Sequence, residues 1–467
     1  MSLHKKDVGL LALLLAAMEI RIISSPILRG VLLIEDGEKM KNPHLAIAVF
    51  FFILLSLLLP VVSADPQDRC YDFDPSIYGK SVQTAVSSNN QFIAVACPDS
   101  GIISLFSSNG TPLWAIQTNE NITSIAISAD GRAVTAGSYH GILYYFDSDG
   151  NLLWNTSGLG CNNYVTLSGD GMNGFVFNSG KKGDPGSNTV FNYNDNGTVL
   201  WKKSVPQISD AVITPDGAYA VIGTKGNYGN DVFLLSHTGD SIWTNKISTG
   251  WKIYGVAISD DSNSIAAVKD DGIYLYNHNG QILWNKTPKY LTRSIAVSPE
   301  GNYIAAGMQY KILFFNRTGT LLWDYTLDDY IYHIEMSQNG QNVVAASLNM
   351  VYYFDRNGTC MWKSPLKDTV DSVSMSRDGR IITAGLYRDT FTIFDRAGNA
   401  TTINLKTISV KPLGTPGAVP MRYSETLNQQ SYSTSPAQES ASPDATTFIA
   451  VIAGVIIMMN YQKRNSF

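Results

Sequence analysis

Seven tryptophans mark this chain at nearly even intervals. Trp114, Trp154, Trp201, Trp243, Trp284, Trp323 and Trp362 are separated by 40, 47, 42, 41, 39 and 39 residues. Each ends one local pattern: an aromatic or apolar strand, a turn with Gly, then an apolar pair and the Trp. Copies read ISLFSSNGTPLW, LYYFDSDGNLLW, VFNYNDNGTVLW, VFLLSHTGDSIW, IYLYNHNGQILW, ILFFNRTGTLLW and VYYFDRNGTCMW, and an eighth, FTIFDRAGNATTI, lacks the Trp. Upstream of each lies a second signature, an alternating strand, Ser-x-Asp-Gly, and a strand of small residues, as in SIAISADGRAVTAG and SVSMSRDGRIITAG.

Each repeat therefore holds four short strands of period two joined by tight Gly turns, and nothing between 70 and 410 sustains a 3.6 period. A sheet of this kind has two apolar faces and cannot bury both alone. A period near 40 with four strands is that of a propeller blade, in which each sheet covers its neighbours. We expect an all-β, eight-bladed β-propeller over 81–410, with blades near 81–120, 121–160, 161–206, 207–249, 250–290, 291–329, 330–368 and 369–410. Seven blades plus a stray hairpin is the alternative. Small residues on the second strand suit the crowded axis, and the structural Trp of each outer strand suits the wider gap between blades. TTINLKTISV supplies an eighth outer strand, and the N-terminal segment 65–80 is a candidate for the strand that closes the ring.

The repeat resembles the WD40 and quinoprotein-like (PQQ-like) propeller superfamily over about residues 70–410. The Ser-x-Asp-Gly strand pair is WD40-like, and the Gly-turn-to-Trp outer strand is similar to the tryptophan-docking motif of quinoprotein-like repeats. The whole layout resembles signal-bearing, tail-anchored surface proteins of methanogenic archaea. Quinoprotein dehydrogenases use a catalytic Asp, a calcium site and often adjacent cysteines; this chain has no vicinal Cys pair. The resemblance thus implies the fold and leaves function open.

Both ends read as membrane signals. Residues 46–59, IAVFFFILLSLLLP, follow Lys39, Lys41 and His44 and lead to a small-x-small exit, so 40–64 is expected to be a secretory signal cleaved after Ala64, or else an uncleaved anchor. Met40 directly precedes that signal, and 1–39 is read as an upstream extension. Residues 411–445 are a Ser/Thr/Pro-rich linker, 446–460 an apolar transmembrane helix and 461–467 a cytoplasmic tail with Lys463 and Arg464, which would place the propeller outside the cell. The net charge of −5 gives no basic face for nucleic acid. Cys70, Cys97, Cys161 and Cys360 fit no zinc pattern; outside the cell they permit up to two disulfides, and isolated buried thiols are the alternative.

No catalytic motif, metal-ligand set or cofactor fingerprint is present, so we expect no enzyme, cofactor or metal. Loops such as Asp147-Ser148-Asp149-Gly150 resemble short calcium loops but offer too few carboxylates, and a hairpin turn explains them. Eight Asn-x-Ser/Thr sequons, at Asn109, Asn121, Asn155, Asn196, Asn285, Asn316, Asn357 and Asn399, are glycosylation candidates, although Asn-Gly-Thr is also good turn chemistry. On the opposite rim we expect Tyr139, His140, Tyr228, Trp251, Tyr290, Tyr310, Tyr330, Tyr387 and Arg388 to gather as a ligand face, or to plug the loops against the channel. The expected function is a cell-surface binding or scaffold protein for a protein or glycan of the envelope. The rival is an extracytoplasmic propeller enzyme: quinoprotein-like, lyase or hydrolase. A channel with clustered His, Arg and carboxylates would favour the enzyme, and one filled by Ala, Val and Ser the scaffold.

Overall fold

Each repeat folds into one antiparallel sheet whose strands pair in chain order. The sheets are β1–β4 (83–117), β5–β8 (122–156), β9–β12 (163–204), β13–β16 (208–247), β17–β20 (253–286), β21–β23 (292–330), β24–β27 (333–365) and β28–β31 (370–404). The computed structural model describes residues 81–160, 163–178, 188–225, 230–247, 252–269, 272–387, 389–414 and 422–423. The two expected membrane segments and residues 65–80 lie outside the described residues. Among the described residues, no helix is long and apolar enough to cross a membrane.

The first strands of the sheets lie side by side in an unbroken cycle, β1 beside β5, β5 beside β9, and so on to β24 beside β28 and β28 beside β1. That cycle is a closed eight-bladed propeller, with the first strands around the axis. The expectation of four strands per blade needs three adjustments. In blade six the second and third strands run on as β22 (Tyr303–Asn316), turning through Tyr310 at φ 63 with no separate loop. Blades one and three each gain a fifth strand at the outer edge. Lys411–Pro412, assigned to the linker by composition, forms β32 parallel to β4 (Pro112–Gln117), and Arg422–Tyr423 forms β33 parallel to β12 (Thr198–Ser204).

The Ser-x-Asp-Gly motif is a self-contained turn. Ser128 Oγ donates to Asp130 Oδ1 (2.8 Å) and accepts the Ala133 N–H (3.0 Å), while Asp130 Oδ1 also accepts the Arg132 N–H (3.0 Å). The same net recurs at Ser168, Thr214, Ser259 and Ser376. These hydroxyls are buried and satisfied, which explains why the motif persists where a hydrophobic residue would leave N–H groups orphaned.

The tryptophans join neighbouring blades as the outer-strand position predicts. The Trp114 indole N–H donates to the Ser148 carbonyl of the next blade (3.0 Å), and Trp154 to Asp195 (2.6 Å). Trp201, Trp243, Trp284, Trp323 and Trp362 repeat the bond to His237, His278, Arg317, Arg356 and Arg396. Each indole lies on the turn glycine of the following blade. At Gly150 a Cβ would come 2.7 Å from the Trp114 ring, and φ is +82.

Seven of the eight interfaces carry this dock. The eighth, from blade eight to blade one, has Ile403 against Gly110 instead. Other bonds close it. Val82 N–H donates to the Leu386 carbonyl (3.1 Å), Ser372 Oγ to the Val82 carbonyl (2.9 Å), and Ser81 pairs with Tyr387. Phe106 and Phe391 meet edge to face at 5.0 Å. Buried Asp389, at φ 63, accepts from Cys97 Sγ (2.5 Å) and holds Lys406 Nζ at 2.7 Å. Burial and the Asp389 bond push the Cys97 thiol up to about 12, so it packs as an inert thiol. Cys97 and Cys360 are both free, so the two-disulfide arrangement does not form; Cys70 and Cys161 lie outside the described residues.

The missing Trp makes a testable difference between equivalent glycines. Gly110 and Gly150 have nearly the same φ, but a Cβ at Gly110 meets the ends of two flexible side chains, Ile403 at 3.0 Å and Ile393 at 3.3 Å, rather than a packed indole ring. Gly150→Ala should therefore cost about 1 kcal/mol more than Gly110→Ala, as an overpacking penalty added to a shared backbone strain. Urea midpoints measure it, and equal losses would reject the docking geometry.

Candidate functional site

The inner strands enclose a central channel with two unlike ends. At the end carrying the Ser-x-Asp-Gly turns, backbone bonds run from blade to blade: Asn89 N–H to Ala129 (3.1 Å), Ala129 to Gly169 (2.8 Å), Gly169 to Pro215 (2.6 Å), Asp260 to Pro299 (2.8 Å) and Gln338 to Arg377 (2.8 Å). The run breaks after Pro215 and Pro299, which have no N–H to give. Arg377 of blade eight also pairs with Asp260 of blade five, three blades away, so an ion pair spans this end. The channel is therefore narrowed at its floor.

The other end is polar. Five inner strands carry a bulge at the second residue, so that the pairing skips Thr123, Ser209, Tyr254, Arg293 and Asp371. A bulge frees a residue from the ladder and re-aims it. Arg293, on β21 (Thr292–Val297), lies 5.9, 5.7 and 5.8 Å from the rings of Tyr254, Tyr330 and Tyr332. Tyr330 and Tyr310 are 5.5 Å apart, and Tyr310 and Tyr290 6.3 Å apart at 86°. Lys289 lies over Tyr290 (5.6 Å) and Lys252 over Tyr254 (4.8 Å). The result is a chain of aromatic rings with interleaved cations over blades five to seven.

Below it stand Asp210 on β13 (Ile208–Ile213), and His333 and Glu335 on β24 (His333–Met336). Asp210 accepts from the Val256 N–H of the next blade (2.8 Å) and from Ala211 N–H (2.9 Å). Burial still pushes its carboxyl up to about 6. Burial, then the charge of Asp210, pushes Glu335 up to about 7. The two residues belong to blades four and seven, so they feel each other across the channel. Asp210 ionises first, and its charge then resists ionisation of Glu335. Glu335 is exposed by its accessible surface, yet it stands on an inner strand facing the axis, and burial is the largest cause of its upward shift, followed by the charge of Asp210. Burial lowers His333 and Asp371 pulls it partly back, so the imidazole is neutral at pH 7.

The structure joins only part of the predicted rim. Tyr290, Tyr310 and Tyr330 come together, and Tyr290 and Tyr310 are each 38% exposed. Tyr139 packs edge to face on His140 in blade two, and His140 Nδ1 meets Glu120 at 2.8 Å, apart from that group. Tyr387 pairs with Ser81 at the seam. Tyr228, Trp251 and Arg388 lie outside the described residues. Sequence reasoning missed Tyr254, Arg293, Tyr332, Asp210, His333 and Glu335. A signal existed: two positions before the turn Ser, blades two, five and six carry Ala126, Ala257 and Ala296, where blade seven carries Glu335.

The sequon turns are exposed at Asn109, Asn196, Asn357 and Asn399 and half-buried at Asn316. Asn109, Asn196 and Asn316 also organise their own turns through Oδ1, as at Asn196, which accepts the Thr198 N–H (3.1 Å) and Oγ1 (2.6 Å). Among the described residues, no His, Cys, Asp and Glu group could hold a metal ion.

With this geometry in hand, the crystal structure of the C-terminal WD40 domain of Sif2 is a clear likeness. It has a TM-score of 0.56 at 14% identity and covers 70% of this chain and 96% of that one. The fold is a WD40-like β-propeller. It is one of 1781 solved chains that match, so the likeness carries architecture alone. A family of unknown function, DUF5711, matches residues 185–310 and again 261–389, the second match beginning about two blades after the first. That offset is what a model of propeller repeats produces on a repeating chain. No curated protein matches.

Proposed function

We propose that this propeller is a binding module whose ligand face is the polar end of its channel over blades five to seven. The observation that carries the reading is the unbroken contact of Tyr290, Tyr310 and Tyr330, three half-open rings from one inter-blade loop, the turn within β22 and the end of β23. Tyrosines of this kind offer flat apolar area with a polar tip at little entropic cost. The partner is a protein or glycan of the cell envelope. The apolar segments 40–64 and 446–460 support a tethered, extracytoplasmic setting, and the turn sequons support glycosylation of the other rim.

The full chain with Tyr290, Tyr310 and Tyr330 all changed to Ala should lose at least tenfold in affinity for envelope material, since each ring contributes on the order of 1 kcal/mol or more at a binding face. Pull-down titration against wild type measures it. A folded variant that binds like wild type would remove this face from consideration.

A second reading rests on Glu335, and the His, Arg and carboxylates that line the channel are the feature expected above of the enzyme rather than of the scaffold. A carboxyl held near 7 in a polar channel, with neutral His333 on the same strand, has the properties of a general acid or base. It makes the protein an enzyme that acts on what the rim captures. Turnover of a bound ligand, lost in Glu335→Gln while binding persists, is the result that would carry it.

A further inference from the structure

Arg293 is the group the structure leaves unused. Among the described residues its guanidinium makes no ion pair or hydrogen bond, and its Nε is buried without a partner. It lies, among the described residues, against the faces of Tyr254, Tyr330 and Tyr332. A guanidinium carries five donors in a planar fork and is always charged. Holding one half-buried with no protein acceptor costs free energy, which an anion bound beside the rings would recover. The neighbouring Thr292 and Ser294 hydroxyls are also buried without partners. The rings around Arg293 fix its direction, and Lys252 and Lys289 bring further positive charge to the same mouth.

The rest of the site narrows the ligand. Below the cation, Asp210 and Glu335 offer carboxyl acceptors and the neutral His333 one ring acceptor and one ring N–H. A ligand matched to both levels carries a carboxylate and several hydroxyls, with flat C–H faces for the tyrosines. An acidic peptide meets the first requirement only. Pairing of its backbone with the inner strands is disfavoured, because they are bulged at this level, at Tyr254, Arg293 and Asp371. The pinned floor, with Arg377 across to Asp260, favours the end of a chain over its middle.

We propose that the channel mouth binds acidic saccharides by their ends, with Arg293 gripping the sugar carboxylate. This rests on the binding-face reading above and names the ligand class for it. The test is calorimetric titration of the full-length protein with a short oligogalacturonate, its methyl ester, and an oligoglutamate peptide. The acid form should bind, and esterification, which removes the charge but keeps the shape, should weaken it about 10- to 100-fold. Arg293→Gln should lose about the same factor for the acid form and leave the ester unchanged. Arg293→Lys, which keeps the charge and the ring packing but not the fork, should fall between. Equal affinity for acid and ester, no binding of the acid form, preference for the peptide, or wild-type affinity in Arg293→Gln would each overturn the proposal. If the triple tyrosine variant loses envelope binding while Arg293→Gln does not, only the acidic-sugar assignment fails. If the tyrosine variant binds normally, the face itself fails.

Discussion

Trp154→Ala should destabilise the propeller by about 3–5 kcal/mol, the range for truncating a buried large aromatic. Trp154 is 3% exposed, more buried than the docking residues of blades three to seven. It stacks on Tyr145 at 5.0 Å and 9°, meets Tyr193 edge to face at 5.6 Å, and donates to the Asp195 carbonyl of the next blade at 2.6 Å. Truncation therefore removes apolar burial, two aromatic contacts and a hydrogen bond from one interface, and it opens a void against Gly197, whose missing Cβ leaves nothing to relax into it. Trp284→Ala, at a half-buried site with an exposed indole bond, should cost about half as much. Urea titration of both variants provides the comparison. A loss below about 1 kcal/mol for Trp154→Ala would mean that the docks decorate an interface held by other contacts.

These docks were readable in the sequence because they repeat. The Trp and the following blade's Gly recur at a fixed interval, and a strand-turn-strand unit with two apolar faces has few ways to bury both. The exception was readable too, since FTIFDRAGNATTI lacks its Trp, but what replaces it was not. Ile403, Asp389 and β32 (Lys411–Pro412) meet blade one only after the ring has closed, and no local pattern records that. The channel was hidden for a related reason. Asp210 and Glu335 sit in ordinary alternating strands, where a polar residue reads as a solvent-facing position. They become partners only because blades four and seven face one axis. The rim aromatics fell between these cases: loop position identified Tyr290, Tyr310 and Tyr330, whereas Tyr254 and Tyr332 looked like strand residues and Arg293 like a surface charge.

That pairing across the axis gives the second large effect, on stability against pH. Both carboxyls are raised in the folded protein, Asp210 from 3.8 to about 6 and Glu335 from 4.5 to about 7. The folded state thus holds protons that the unfolded chain releases. Their contribution is fully present below about pH 4 and is lost as pH rises through 6 and 7. Asp210 is half-buried and Glu335 exposed, so solvent screens the pair and the loss is about 1–2 kcal/mol per group, less than the full shift implies. Asp130, Asp261, Asp389 and Asp395 are lowered instead and act with the opposite sign, favouring the folded state above their ordinary range. Arg293, His333 and Asp371 face the same channel and stay in place in the comparison. The informative quantity is therefore the difference between wild type and the Asp210→Asn, Glu335→Gln double variant. The variant should match wild type near pH 4 and exceed it by about 2–3 kcal/mol at pH 8, with most of the divergence between 5 and 7. Denaturant midpoints across that range decide it. A constant offset would mean that the two carboxylates are as well hydrated in the ring as in the unfolded chain.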